Sequence, residues 1–304
     1  MIPIIVIAGP TASGKTALAI EVAKALDGEV ISADSMQIYK RMNIGTAKPT
    51  EEEMCGIKHH LIDILEPWEG FSVDKFVTLA KEAAFDIYSR GKMPILAGGT
   101  GLYIDTLIHG IKLAENAFDE DIRKRLEEEA NANGKTAMYE KLCKIDPESA
   151  AKLHPNDLKR VIRALEIYEN TGMTKTESDM KSNSEEKIFD YLYFFIETER
   201  EILYNKINMR VDKMVEQGLF DEALDIYRKI GGKNVTAMQS IGYRELKFYF
   251  DGLLARDEAI NLIKRNTRRL AKRQITWFKR DSEVIKISAS DDKKVILLAE
   301  ERWK

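Results

Sequence analysis

Short apolar segments rich in β-branched residues alternate with helical patterns at the start of the chain. Residues 4–8 and 29–33 predict two strands, and residues 16–26 between them repeat apolar side chains at a helical spacing. A strand, a helix and a second strand in this order form a βαβ unit, whose strands are parallel. The pattern therefore predicts an α/β fold built on a parallel sheet.

The same alternation continues to about residue 110. Residues 72–90 predict a helix with one apolar face, and residues 93–97 predict a strand that runs into a glycine-rich turn at residues 98–101. From residue 112 to about residue 187 no strand pattern occurs. Helices are predicted there over residues 119–130, 136–145 and 156–170, with Asn156 as the N-cap of the last, and a polar loop over residues 178–186.

Strands and helices alternate again near the end of the chain. Strands are predicted over residues 191–196 and 284–287, and helices over residues 200–217, 219–229, 243–249 and 256–279. We therefore expect a core formed by residues 1–111 and 190–304. A helical insertion domain at residues 112–189 interrupts it.

The turn after the first strand matches the phosphate-binding pattern G-x-x-x-x-G-K-[ST]. Its residues are Gly9, Pro10, Thr11, Ala12, Ser13, Gly14, Lys15 and Thr16. The glycines let successive N–H groups point at an anion, and the following helix adds its positive N-terminal end. Lys15 supplies a charge to phosphate oxygens, and the Thr16 hydroxyl can bind Mg²⁺. The sequence predicts a phosphate or diphosphate site in a P-loop NTPase-like core.

The acid that a P-loop ATPase uses as a second Mg²⁺ ligand is missing from its usual place. The strand at residues 93–97 runs into Gly98, Gly99 and Thr100, whereas the strand at residues 191–196 ends at Glu197. Asp34 is the better candidate, because it follows the strand at residues 29–33. Ligands of open α/β sheets bind at that end of the strands.

Composition excludes several classes of protein. Among 304 residues, 44% are hydrophobic and 32% are charged, which excludes a disordered chain. No apolar run reaches about eighteen residues, and the apolar start of the chain is too short for a signal peptide. We therefore expect a cytoplasmic protein with no membrane contact.

The charge is unevenly distributed. The net charge is −3, but residues 264–280 contain eight basic and no acidic residues, which leaves −11 on the rest. Arg268, Lys272, Arg273 and the other basic residues of this segment fall on one side of the predicted helix. Such a one-sign face indicates a polyanionic partner.

Several longer strings of residues resemble the bacterial tRNA dimethylallyltransferases. They include residues 34–39 (Asp-Ser-Met-Gln-Ile-Tyr), 43–49, 59–63, 98–103, 156–166, 241–246 and 267–278. The resemblance spans residues 4–278 in order, which makes it far more specific than a P-loop alone. It departs mildly at Leu270, where the family usually has tyrosine, and in the loop at Lys40 and Arg41.

The resemblance implies a reaction and a donor site. A dimethylallyl group would move from dimethylallyl diphosphate to the exocyclic amine of the adenosine 3′ of the anticodon, in tRNAs that read codons beginning with U. Asp34 would be the general base for the amine. Thr100 would donate a hydrogen bond to the bridging oxygen, and Arg210 would pair with the diphosphate. Mg²⁺, bound by Thr16, would be the cofactor.

The resemblance also implies tRNA contacts but no protein partner, so we expect a monomer. The expected contacts are Asp34, Ser35, Met36, Gln37, Thr100, Arg123, Lys159, Arg160, Val161, Ile162, Arg163, Gly242, Tyr243, Arg244, Arg268, Lys272 and Arg273. Tyr243 and Arg244 offer an aromatic ring and a cation to an unpaired base.

Three other interpretations remain open at this point. A P-loop small-molecule kinase would share the phosphate loop and could use Asp34 as a base, but it leaves the basic helix unexplained. A nucleotide-gated RNA-binding module without chemistry explains that helix but leaves Asp34 and Thr100 unused. A prenyltransferase that acts on free AMP needs neither the basic helix nor the insertion. The sequence does not show which tRNAs are preferred or whether the prenylated base is modified later.

Overall fold

The fold is built on a six-stranded, wholly parallel sheet with the strand order β3-β2-β4-β1-β5-β6. The computed structural model describes residues 1–111, 119–182, 187–231, 233 and 235–303. The strands are β1 (Ile2–Ala8), β2 (Gly28–Ala33), β3 (His59–His60), β4 (Met93–Gly98), β5 (Phe189–Ile196) and β6 (Ile285–Ile287). The predicted α/β class and parallel sheet are thus confirmed.

Helices account for most of the remaining described chain. In the first part they are α1 (Lys15–Ala25), α2 (Glu51–Met54), α3 (Val73–Ser89) and α4 (Gly101–Ile108). The middle of the chain forms α5 (Glu120–Ile145), α6 (Pro147–Ala151), α7 (Leu158–Thr171) and α8 (Lys175–Ser182). The last part contains α9 (Arg200–Glu216), α10 (Leu219–Ile230), α11 (Tyr243–Phe250), α12 (Arg256–Phe278) and α13 (Asp292–Trp303).

Both faces of the sheet are buried, which explains why its central strands are apolar at nearly every position. Alternate residues of β1 enter different cores. Ile4 and Val6 pack with α3 and α4, whereas Ile5 and Ile7 pack with α1 and α13. The ends of three strands lie level, because Gly98 is in register with both Ala8 and Ala33. This register brings the residues that follow β1, β2 and β4 together at one edge.

A third apolar cluster joins the loop after β2 to helices α9–α12. Ile38, Tyr39 and Met42 from the loop pack with side chains of the helices, including Leu219, Tyr243, Leu246 and Ile263. The loop is therefore held by a core of its own rather than by the sheet alone.

The chain divides into two compact units, one of residues 1–108 and 188–304, the other of residues 109–187. The second unit is helical and has its own core, which includes Leu126, Leu142, Val161 and Leu165. Helix α5 is kinked at Gly134 (φ 82°), so it follows the two helices predicted there. Residues 112–118 and 183–186, which the prediction included in the insertion, lie outside the described residues.

Two local predictions in this unit are wrong. The N-cap of α7 is Asp157, whereas the N–H of Asn156 donates to the ring of His154. Residues 178–182 belong to α8 rather than to a loop. Thr174 and Glu177 each accept a hydrogen bond from the other's N–H, a capping-box pair that starts this helix despite its polar composition.

Several short or terminal elements were not predicted. Helices α2, α4, α6 and α13 and strand β3 were all missed, because each is too brief or too mixed in polarity to show a period. None of the described helices is both long enough and apolar enough to cross a membrane.

Candidate active site

The phosphate loop connects β1 to α1 in the conformation its glycines permit. Gly14, the N-cap of α1, has a φ of 95°, in the left-handed region that favours glycine. A Cβ on Gly9 would lie only 2.8 Å from Ser13 Oγ, so the turn closes tightly. Ser13 Oγ is buried and has no hydrogen-bond partner among the described residues. An unsatisfied buried hydroxyl in this loop is consistent with a site built for a ligand.

Lys15 reaches back over the loop, where its Nζ donates to the carbonyl of Pro10 at 2.8 Å. Burial lowers the pKa of Lys15 to about 8. The nearby charge of Asp34 opposes this shift, and that of Arg210 adds to it. Burial also lowers the pKa of Arg210. Two cations are therefore held partly desolvated near one acid. An anion that binds here would offset the remaining positive charge.

Asp34 follows β2 and caps the turn that comes after it. Its Oδ1 accepts the N–H of Met36 at 2.9 Å and of Gln37 at 3.4 Å, whereas its Oδ2 accepts no hydrogen bond from the described residues. Thr100 lies two residues after β4, and its Oγ1 accepts the N–H of Ser35 at 3.1 Å. One oxygen of Asp34 is thus committed to the backbone and the other is available for a proton.

One cavity of about 550 Å³ joins these groups. Its wall includes Lys15, Thr16, Asp34 and Arg210, which come from three separate stretches of the chain. Part of the wall is apolar, with Met36, Val211, Met214, Leu219, Ile241, Ile263 and Leu270. Thr100 is not among the described residues that line the cavity. A charged end beside an apolar wall suits an amphipathic ligand with an anionic head.

Gln274 on α12 was not predicted as a site residue, although it connects two parts of the site. Its Oε1 accepts the N–H of Thr11 at 2.9 Å, and its Nε2 donates to the carbonyl of Gly99 at 3.0 Å. A Cβ on Gly99 would lie 2.4 Å from Nε2, so this approach requires glycine. The side chain thereby fixes the phosphate loop against the turn after β4.

Replacing Gln274 by methionine should weaken diphosphate binding by about 5- to 30-fold. The variant keeps the length of the side chain but leaves the N–H of Thr11 and the carbonyl of Gly99 without their partner, which costs about 1–2 kcal/mol. Calorimetric titration with inorganic diphosphate measures the change. Gln217→Met, at an exposed position after α9, is the matched control. Equal affinities in the two variants would contradict this role of Gln274.

The basic residues of α12 do not share one environment. Lys264 pairs with Asp212 at 2.6 Å, and Arg268 donates to Asn208 Oδ1 at 2.5 Å, so both face α9. Arg269 and Arg273 line the cavity instead. Arg265, Lys272 and Lys279 are exposed, as is Arg280, which lies 5.7 Å from the ring centre of Trp277.

One expected tRNA contact from this part of the chain needs correction. Tyr243 is fully buried, and its hydroxyl donates to Glu222 Oε1 at 2.5 Å. The expectation that its ring stacks on an unpaired base is therefore wrong. Gly242 and Arg244 do line the cavity, and Arg244 pairs with the buried carboxylate of Glu245 at 2.6 Å.

The residues of the helical unit that were expected to contact tRNA differ in exposure and in ion pairing. Lys159 and Arg160 are exposed, and Arg123 and Arg163 pair with Glu127 and Glu166. Val161 and Ile162 lie in the core of the unit, so their side chains offer no surface to a tRNA. The resemblance implied contacts at these two positions, but the apolar period of α7 turns their side chains into the core.

Comparisons with known proteins point to one family. The model of the IPP transferase family matches residues 37–281. A tRNA dimethylallyltransferase of Thermoanaerobacter sp. is 50% identical over 91% of this chain and 89% of its own length. The crystal structure of a tRNA isopentenylpyrophosphate transferase from Bacillus halodurans has a TM-score of 0.73 and 45% identity, covering 99% of this chain and 96% of that one.

A more distant relative preserves the same fold. A eukaryotic dimethylallyltransferase, whose crystal structures show it acting on tRNA, has a TM-score of 0.81 at 32% identity and covers 99% of this chain and 77% of its own. These similarities extend over nearly the whole of both units, well beyond the phosphate loop. The chain therefore belongs to the IPP transferase family.

Proposed function

We propose that this protein transfers a dimethylallyl group from dimethylallyl diphosphate to the exocyclic amine of an adenosine in tRNA. The acceptor is the adenosine 3′ of the anticodon in tRNAs that read codons beginning with U. The observation that carries the proposal is a cavity that holds Lys15, Arg210 and Asp34 beside an apolar wall. We further propose that the enzyme acts in the cytoplasm as a monomer.

The charged end of the cavity suits the diphosphate. As the allylic C–O bond breaks, negative charge develops on the leaving diphosphate, and Lys15, Arg210 and the N–H groups of the phosphate loop stabilise it. The apolar wall, which includes Val211 and Leu270, accommodates the five-carbon group. When the cavity holds both the diphosphate and the five-carbon group of the donor, it also excludes water, which would otherwise react with the allylic carbon.

Asp34 acts on the acceptor. The exocyclic nitrogen of adenine attacks the first carbon of the allyl group, a C–N bond forms, and diphosphate departs with the electrons of the C–O bond. Asp34 accepts the proton that the nitrogen loses, through the oxygen that the turn does not use. The base must leave the anticodon-loop stack to reach this carboxylate. Thr100 contributes by accepting the N–H of Ser35, which holds Ser35 next to Asp34.

The residues present fit Mg²⁺ held largely by the substrate. No group of three or more His, Cys, Asp and Glu side chains that could hold a metal occurs in the described part of the chain. Thr16 lines the cavity next to Lys15. Thr16 would therefore share the ion with diphosphate oxygens, the arrangement that Mg²⁺ favours. The ion, when bound, neutralises charge on the leaving group.

The proposal is tested with labelled dimethylallyl diphosphate offered to tRNA, to AMP or to no acceptor. We expect label in tRNA alone, at the adenosine beside the anticodon, and release of one diphosphate for each transfer. Label in AMP would favour the free-nucleotide prenyltransferase. Rapid turnover of ATP without transfer would favour a kinase, and tRNA binding without any transfer would favour a binding module.

Reversing two exposed charges on α12 should weaken tRNA binding. Arg265 and Lys272 are exposed and seven residues apart, so they share a face, whereas Arg268 contacts Asn208 and would disturb packing if changed. The double variant Arg265→Glu, Lys272→Glu should flatten the slope of log affinity against log salt by about 1–2. Filter binding over a series of salt concentrations measures the slope. Lys81→Glu, Lys24→Glu is a matched control on α3 and α1, and a slope equal to its value would contradict the proposed face.

A further inference from the structure

One carboxylate outside the cavity holds a loop that forms part of the cavity wall. Glu222 lies on α10, and its Oε2 accepts the N–H of Asn43 at 2.8 Å and of Ile44 at 2.9 Å. Its Oε1 accepts the N–H of Gly45 at 2.9 Å and the hydroxyl of Tyr243 at 2.5 Å. A single side chain thus accepts hydrogen bonds from three consecutive amides and one buried hydroxyl.

Only a carboxylate satisfies this arrangement. Both of its oxygens accept, and each faces N–H donors of the loop. The amide of glutamine has the same shape, but its NH₂ group donates and would face a donor. Glu222→Gln therefore replaces one of the two acceptor oxygens by a donor while preserving volume.

The loop lies directly against the ring of Tyr243. A Cβ on Gly45 would be 2.4 Å from Cε2 of that ring, so the backbone can approach only because residue 45 is glycine. Tyr243 is itself fully buried in the apolar cluster that joins the loop to α9–α12. Because the Tyr243 hydroxyl donates to Glu222, the core that packs against the loop also fixes the position of Glu222.

Hydrogen bonds lead from this loop to the reacting carboxylate. The Nε2 of Gln37 donates to the carbonyls of Thr46 at 3.4 Å and Ala47 at 3.3 Å. Its Oε1 accepts from Ser32 Oγ at 3.2 Å, and its N–H donates to Asp34 Oδ1 at 3.4 Å. Gln37 and Asp34 line the same cavity as Thr46 and Ala47. Movement of residues 43–47 would thus be transmitted to the residues that face the acceptor base.

We propose that Glu222 is a positioning residue for the acceptor adenosine. It fixes residues 43–47, and through them Gln37 and Asp34, in the geometry that proton removal requires. This role rests on the proposed transfer to tRNA. The donor half of the site is held separately, through the contacts of Gln274 with the phosphate loop, so donor binding does not depend on Glu222.

Glu222→Gln should lower kcat/KM for tRNA by about 10- to 100-fold, mostly through kcat, because a misplacement near 1 Å can cost about 10²-fold. The dissociation constant for dimethylallyl diphosphate should stay within about twofold of wild type. The amides of residues 43–45 should exchange hydrogen faster, as measured by mass spectrometry. Tyr243→Phe, which removes one donor and keeps the ring, should give a smaller loss in kcat with the same unchanged donor affinity.

Asp225→Asn is the matched control, because Asp225 lies on the same helix, is exposed and pairs with Lys229 at 2.6 Å. It should behave as wild type in all three measurements. A wild-type kcat in Glu222→Gln would overturn the role of Glu222, as would a parallel loss of donor affinity. A wild-type protein that transfers nothing to tRNA would overturn the proposed function, and the role with it, even if amide exchange shows that the contact exists.

Discussion

Replacing Asp34 by asparagine should slow the chemical step by about 10²- to 10⁴-fold. The amine of adenine is a weak nucleophile, and the variant has no group that can accept its proton at this position. Asparagine keeps an oxygen that can accept the N–H of Met36, so the turn after β2 should persist. Single-turnover rates, measured with enzyme in excess over labelled tRNA and with saturating donor, report the chemical step directly.

The control for this experiment is Asp74→Asn, an exposed acid in the first turn of α3. It should transfer at the wild-type rate. Donor affinity should be similar in both variants, because diphosphate is held chiefly by Lys15, Arg210 and the phosphate loop. A single-turnover rate in Asp34→Asn within about threefold of wild type would exclude Asp34 as the base.

Replacing Lys15 by methionine should weaken dimethylallyl diphosphate binding by about 10²-fold or more. A partly desolvated ammonium that meets an anion forms a charge-assisted bond, and its removal leaves phosphate oxygens unpaired. Calorimetric titration in the absence of tRNA measures the loss. Lys92→Met, at a half-buried lysine that pairs with Asp27 and does not line the cavity, is the control and should bind the donor normally.

The pH dependence of donor binding provides a second readout of Lys15. Burial lowers the pKa of its ammonium to about 8, so the free enzyme loses this charge as the pH rises above 8. The bound diphosphate favours the charged form, so binding takes up a proton in that range and affinity should fall as the pH rises. Lys15→Met should lack this decline. Wild-type affinity that stays constant from pH 8 to pH 10 would contradict the assigned role.

The sequence predicts the core of this fold well because its signals are local. The βαβ unit and the phosphate loop fall within about the first thirty residues, and their spacing alone predicts both the parallel strands and the anion site. Asp34 is found by the same logic, because parallel strands end at one edge of a sheet. The parts of the site that lie next to strand ends are therefore predictable without a structure.

Contacts between residues that are far apart in the chain produce no local pattern in the sequence. Gln274 meets Thr11 across 263 positions, and Glu222 meets Gly45 across 177 positions, so neither contact has a period or motif of its own. In the sequence, Glu222 looks like any acid on an amphipathic helix. The charge pattern of α12 likewise fixes the angle of each basic residue around the helix. It does not show that Lys264 and Arg268 face α9 while Arg273 faces the cavity.

The order of strands has a consequence for synthesis on the ribosome. β1, which carries the phosphate loop, pairs on one side with β4 and on the other with β5, which begins at Phe189. Until that residue has been made, β1 remains an apolar edge strand, the kind of surface that chaperones recognise. The helical unit can meanwhile form its own core from neighbouring residues. β1 thus gains its second neighbour late in synthesis, and slow translation across the insertion would prolong its exposure.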